Sequence, residues 1–284
     1  VFQKATSRYF KMRFFSSAII KFEKMKKQKM KRFENQVIVI TGGSKGIGWA
    51  AAEQFLAEGG KVSIWDIHAP EGEELARNSN HLLWVKCDVS KEKDIQGAVE
   101  TTEKQWGNIQ ILVCSAGIQR YSTVTETSEE EWDFVMGINL KGSFLAAKHC
   151  IPSMQRHGNG AVILISSVQA FYSQDKVAPY VASKSGQIGL MRSIAVDYAP
   201  NIRCVAVCPG TINTPMLRDA INLSPDPAIV LKECEDMHLV QRIGEAEEVS
   251  KLICFLASSE ASFITGQYFR IDGGLGVMIA GSKK

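Results

Sequence analysis

The sequence predicts an α/β fold: a single doubly wound domain on a seven-stranded parallel sheet. Three observations carry that reading. Short β-branched runs alternate with helical periods from Phe33 onward, and such alternation implies parallel strands covered by helices on both faces. The runs are continuously apolar, as strands buried on both faces are. The length of 284 residues, 45% hydrophobic and 22% charged, suits one ordinary globular α/β unit. Right-handed crossovers then favour the doubly wound arrangement.

Element by element, Val37–Ile40 is the first strand, and a Gly-rich turn leads into a helix from about Ile47 to Glu58, stopped by Gly59-Gly60. Lys61–Trp65 is the second strand. His81–Cys87, Ile109–Cys114, Ala161–Ile165, Ile202–Cys208 and Gln267–Ile271 complete the seven. Helical periods fall at about 70–78, 90–105, 128–157, 178–198 and 245–257. Ser90 and Ser128, each followed by acids in the next turn, read as N-caps. Thr211–Leu239 breaks the alternation, with Pro215, Pro225 and Pro227 among helical fragments. An excursion at the carboxyl edge of such a sheet is well placed to act as a lid over a ligand.

Composition excludes several classes. No apolar run approaches the ~18 residues of a membrane span. Seven cysteines without a Cys-x-x-Cys pair fit neither a disulfide framework nor a zinc site; no metal is predicted, and reduced thiols point to a cytoplasmic setting. Residues 1–32 hold 11 Lys/Arg and one acid, Glu23, whereas the rest hold 22 Lys/Arg and 29 Asp/Glu. The body is therefore mildly acidic, with no nucleic-acid face. The basic segment 1–32 reads as a disordered or non-native extension; an organelle transit peptide and a membrane-surface or nucleic-acid arm have the same composition. Residues 33–284 are expected to form the one folded domain, with the lid at about 211–239.

Thr41-Gly42-Gly43-Ser44-Lys45-Gly46-Ile47-Gly48 joins the first strand to the first helix. Glycines allow close approach to a pyrophosphate, and the helix start offers free N–H groups and a positive dipole end. Asp66 ends the second strand, where a carboxylate accepts ribose hydroxyls and repels a 2′-phosphate, predicting NAD over NADP. Lys45 pulls the other way. Asp88, after the third strand, is placed near the adenine or is a plain turn residue. Tyr-x-x-x-Lys, which puts two side chains on one helix face, occurs twice, as Tyr172/Lys176 and Tyr180/Lys184. Tyr180 is preferred because Pro179 is a good first-turn residue and an apolar helical stripe follows. Ser167 lies just past the fifth strand.

On these residues the body, from about Lys31 to Gly276, resembles the short-chain dehydrogenase/reductase family, a Rossmann-like fold. The resemblance implies a catalytic set of Asn139, Ser167, Tyr180 and Lys184. It implies cofactor contacts from Gly42, Ser44, Lys45, Gly46, Ile47 and Gly48, from Asp66, Asp88 and Val89, and from Ser115, Ala116 and Gly117. Tyr180 and Lys184 join these, with Pro209, Gly210, Ile212 and Thr214 after the sixth strand; Asp272-Gly273-Gly274 follows the last. The departure is Ser115, where the family usually carries an Asn that braces the central strand. The resemblance also implies a water held by Asn139 and a homotetramer built on the helices at 128–157 and 178–198 and on the last strand.

The implied chemistry is alcohol oxidation. Free tyrosine has a pKa of about 10, too high for a good base near neutrality, so the positive charges of Lys184 and oxidised nicotinamide are expected to favour the phenolate. Ser167 hydrogen-bonds the substrate oxygen. Segments around Ile165–Ala170, Ala195–Pro200 and Ala261–Gly266 are most similar to aldose and glucose dehydrogenases. Gln119, Gln169 and Asn213 follow the fourth, fifth and sixth strands and suit a polyhydroxylated substrate; Phe171, Tyr172 and Met216 would instead wall an apolar one. The expected function is an NAD-dependent sugar dehydrogenase. The alternatives are a 3-oxoacyl carrier-protein reductase and, least favoured, a non-catalytic dinucleotide sensor.

Overall fold

The computed structural model describes residues 31–70, 72 and 79–277. The basic segment up to residue 30, almost all of the helix expected at 70–78 and the last seven residues lie outside the described residues.

Seven parallel strands form one sheet in the order β3-β2-β1-β4-β5-β6-β9. They are β1 (Val37–Thr41), β2 (Lys61–Asp66), β3 (Leu82–Lys86), β4 (Ile111–Cys114), β5 (Gly160–Ile165), β6 (Ile202–Pro209) and β9 (Tyr268–Ile271). Each falls within a residue or two of the run that predicts it. The strand order reverses between β1 and β4, so the crevice above Thr41 and Cys114, which pair in register, is where a doubly wound sheet takes its ligand.

Alternation along the strands fills two cores. Val37 and Val39 pack with residues of α2 (Glu92–Trp106), α4 (Gly142–His157) and α5 (Ala178–Tyr198). Ile38 and Ile40 pack with α1 (Gly46–Ala57) and α8 (Ala246–Ala257). Burying each such aliphatic side chain contributes about 1.5–3 kcal/mol. Trp65 is fully buried, and its indole N–H is satisfied by Ser63 Oγ at 3.0 Å and Thr102 Oγ1 at 3.2 Å.

Several local expectations are corrected. The helix at 128–157 is three pieces: α3 (Glu129–Met136), a π-helical turn at Gly137–Lys141, and α4. Ser128 does cap α3, accepting from Glu131 N–H. Ser90 does not cap α2; Lys91 holds that position, and the Ser90 hydroxyl donates to Asp88 at 2.7 Å. The folded body takes in Arg32 before Phe33: its guanidinium donates to Glu58 at 2.7 Å and to Glu260 at 3.1 Å, pinning this residue to the end of the helix Gly46–Ala57 and to the 3-10 turn at Ser259–Ala261.

The excursion after β6 holds a short β7 (Ile212–Asn213), α6 (Pro215–Ile221) and α7 (Pro227–Asp236). Two of its three prolines start helices: Pro215 follows the N-cap Thr214, and Pro227 follows the N-cap Asp226. β7 pairs with β8 (Gly244–Glu245), just before α8.

Candidate active site

The turn between β1 and α1 is shaped by what glycine permits. Gly42 has φ +64°, and a Cβ there would lie 2.5 Å from Ala116 Cα; at Gly48 it would lie 2.2 Å from Gly42 O. Neither position admits a side chain. Gly42 N–H donates to Trp65 O at 2.9 Å, fastening the turn to β2. Lys45 sits at the N-cap without a side-chain cap bond, so no side chain of that residue competes for the first-turn N–H groups of Gly46, half-buried Ile47 and Gly48. Asp66, at the end of β2, accepts from Ser44 N–H at 3.1 Å and from His68 N–H at 3.0 Å. A carboxylate has about four lone-pair positions, so two remain for hydroxyl donors. These features fit a dinucleotide: a glycine cradle, a helix start with open donors and an anchored acceptor.

Asp88 belongs to its own turn. Its carboxylate accepts from both Ser90 N–H and Ser90 Oγ, and it pairs with Lys91 at 3.2 Å. Val89 is buried against the start of α4, at Gly142. Ser115 N–H continues the ladder to Thr41 O at 3.1 Å, and Ala116 N–H donates to Thr41 Oγ1 at 3.3 Å. In this chain the β1–β4 brace therefore runs through the Thr41 hydroxyl, at the place where Ser115 departs from the usual Asn.

Asn139 lies in the π turn and is fully buried. Its side chain accepts from Ile118 N–H at 2.8 Å and donates to Ile118 O at 2.9 Å and Ser183 Oγ at 3.0 Å. Its backbone carbonyl accepts from Gln187 Nε2 at 3.0 Å and Ser143 Oγ at 2.9 Å. Asn139 thus ties the β4 loop to α5. Gln187 and Ser183, both fully buried, carry no motif in the sequence that would have exposed this role.

Ser167, Tyr180 and Lys184 come together at the carboxyl edge of β5. Ser167 caps a short 3-10 turn, accepting from Gln169 N–H at 3.1 Å. Burial pushes the Tyr180 hydroxyl up to about 12, and a hydrogen bond from Ser167 opposes it. Burial pushes the Lys184 ammonium down to about 8. Lys184 Nζ donates to Ile165 O at 2.8 Å and lies 5.6 Å from the Tyr180 ring centroid. In the protein alone, then, desolvation outweighs the attraction expected to lower the tyrosine. Tyr172 lies elsewhere: Arg270 stacks on it at 5.2 Å and donates to its hydroxyl at 3.1 Å.

Pro209 ends β6, and Gly210 N–H donates to Ile271 O at 3.0 Å. Ile212 is buried in the α1–α8 core. Thr214 faces the glycine turn; a Cβ on Gly46 would lie 3.4 Å from it. His238, which no sequence signal marked, is buried and holds the excursion down. Its Nδ1 is 2.6 Å from Cys234 O, and its Nε2 accepts from Thr211 N–H at 3.2 Å. Gln119 and Gln169 are half-buried. Gln169 Nε2 donates to Gln174 Oε1 at 3.0 Å, while its own Oε1 is buried with no hydrogen-bond partner. Asn213 departs from expectation. Its amide donates to Glu245 Oε2 at 3.1 Å and accepts from Arg218 at 3.3 Å. The bond to Glu245 serves the β7–β8 junction, a pairing 32 residues apart in the chain that local sequence does not reveal, while the bond from Arg218 comes from the adjoining α6. Among the described residues no group of three His, Cys, Asp or Glu is arranged to hold a metal.

Comparison with known proteins agrees with this geometry. The family model described as Enoyl-(Acyl carrier protein) reductase matches residues 42–276. The chain is 37% identical over 247 residues to an uncharacterized oxidoreductase of Thermotoga maritima, covering 85% of this chain and 98% of that one. It is 36% identical over 250 residues to the 3-oxoacyl-[acyl-carrier-protein] reductase of the same organism, covering 86% and 99%. Among solved structures, the ligand-free aldohexose dehydrogenase of Thermoplasma acidophilum superposes with a TM-score of 0.83 at 39% identity, covering 89% of this chain and 98% of that one. With this sheet order, this glycine turn and the Ser167–Tyr180–Lys184 cluster, the chain belongs to the short-chain dehydrogenase/reductase family of nicotinamide-dependent oxidoreductases.

Proposed function

We propose that the protein is an NAD-dependent dehydrogenase that oxidises an aldose at its anomeric carbon to the lactone. The observation that carries the reaction is the buried cluster in which Ser167 lies beside Tyr180, one helical turn from Lys184. Tyr180 removes the proton of the anomeric hydroxyl, and Ser167 holds the same oxygen as charge develops on it. Lys184, placed by Ile165 O, presents positive charge to the phenolate, and Asn139 fixes the β4 loop against α5. Bound nicotinamide supplies the hydride acceptor and a second positive charge. A cyclic hemiacetal offers the required C–H and O–H on one carbon.

The sugar is supported by the likeness to an aldohexose dehydrogenase and by the unpartnered Gln169 Oε1. An unmet buried acceptor costs about 1–3 kcal/mol, which a ligand hydroxyl would recover; Gln119 is the second candidate contact. Asp66 supports NAD. The relative named as a 3-oxoacyl reductase favours a second reading, in which the same cluster reduces a 3-oxoacyl ester. Buried, free thiols support a cytoplasmic setting, and no described helix is long and apolar enough to cross a membrane.

Exposed apolar residues on α4 and α5 and before β9, namely Phe144, Val196 and Phe263, support a homotetramer. Light scattering at micromolar protein should give four chains; a stable monomer contradicts it. For the chemistry, Tyr180→Phe should lower turnover about 10²–10⁴-fold while NADH binding persists, and Tyr172→Phe should keep most activity. The opposite ranking would sink the assignment of the base.

A further inference from the structure

Ser44 is buried at 2% exposure in the turn between β1 and α1, and its bonds run sideways to the chain leaving β2. Its N–H reaches Asp66 Oδ2 at 3.1 Å, and its hydroxyl donates to His68 O at 2.6 Å. His68 N–H in turn donates to Asp66 Oδ1 at 3.0 Å. Ile67 and His68 are themselves exposed. The side-chain bond from Ser44 therefore sets the orientation of the peptide units that aim His68 N–H at the carboxylate. We propose that Ser44 is a positioning residue for cofactor choice. It holds the Asp66 carboxylate, through the 66–68 turn, in the one orientation that leaves its outer lone pairs for ribose hydroxyls and its charge against a 2′-phosphate. The proposal rests on the NAD reading above.

The energetics are modest and selective. A carboxylate held by two N–H groups cannot turn; with the hydroxyl gone, the turn loosens and the His68 bond is lost part of the time. One such hydrogen bond corresponds to about a three- to ten-fold change in an equilibrium constant. That loss falls on the cofactor with two free ribose hydroxyls and spares the one bearing a phosphate, whose repulsion is relieved.

The test is direct titration of NADH and NADPH against the full chain by cofactor fluorescence, for wild type, Ser44→Ala, Asp66→Ala and the double variant. Ser44→Ala should weaken NADH about three- to ten-fold and leave NADPH unchanged or tighter, narrowing the ratio of the two Kd values. In the Asp66→Ala background the same substitution should leave that ratio unchanged, because the group it positions is gone. Ser44→Gly, which also keeps the N–H and deletes the hydroxyl, should narrow the ratio in the same way if the alanine variant folds poorly. Equal weakening of both cofactors would show Ser44 to be structural only. A further narrowing in the Asp66→Ala background would show that it acts elsewhere. A wild type that binds NADPH more tightly than NADH would overturn the NAD reading and this proposal with it; a wild type that prefers NADH with an unchanged Ser44→Ala ratio would overturn this proposal alone.

Discussion

At Lys184 the proposed catalytic role and stability pull in opposite directions. The ammonium is buried, and its pKa is pushed from the ordinary 10.5 down to about 8 by desolvation. Between those values the unfolded chain binds more protons than the folded one, so this group makes stability rise with pH. Below pH 8 both states carry the charge and the folded state bears the whole penalty, on the order of 3 kcal/mol. Lys184→Met should therefore stabilise the cofactor-free protein at pH 7, by that amount less the lost bond to Ile165 O, and the gain should fade by pH 10.5. Urea unfolding of both proteins at the two pH values decides it; a gain equal at both contradicts burial as the cause. The residue scale also shows what local sequence conveys. Tyr180 was separable from Tyr172 because Pro179 starts a helix, a nearest-neighbour property. Asn213 was not separable from a substrate ligand, because its partner Glu245 is set by a strand pairing far along the chain.

Elements were legible wherever their signal was periodic. α5 runs over Ala178–Tyr198, as the apolar stripe after Pro179 predicts, and seven strands appear where seven apolar runs stand. The π turn at Gly137–Lys141 was not legible, because one wider turn barely disturbs the pattern of side chains while it re-aims the backbone carbonyl of Asn139. The excursion after β6 was legible as an interruption, but not its anchor. His238 fastens both ends of that segment with one ring, donating from Nδ1 to Cys234 O and accepting at Nε2 from Thr211 N–H. His238→Ala strands both partners, a loss of about 1–3 kcal/mol for the segment. Hydrogen exchange over residues 211–240 should accelerate about ten-fold or more, with protection of β1 and β4 unchanged. Unaltered exchange at Thr211 would contradict the anchoring role.

For the whole molecule, one sheet order explains why residues far apart in the chain meet. The reversal between β1 and β4 opens the crevice where the glycine turn, Asp66 and Gly117 converge, and β5, its other neighbour β6 and α5 bring Ser167, Tyr180 and Lys184 to the same edge. That convergence follows from topology and was readable once the strands were placed. The substrate was not, because strand order does not fix which individual side chains would line a substrate at that edge. NAD-dependent oxidation of a sugar is tested most directly by the initial rate of the purified full chain on a panel of aldoses and 3-hydroxyacyl esters, each with NAD and NADP, and of the corresponding 3-oxoacyl esters with the reduced cofactors. An aldose with NAD should give the highest kcat/KM, falling sharply for a deoxy sugar that lacks a contacted hydroxyl. No turnover of any aldose, with efficient reduction of a 3-oxoacyl ester by NADPH, would contradict it.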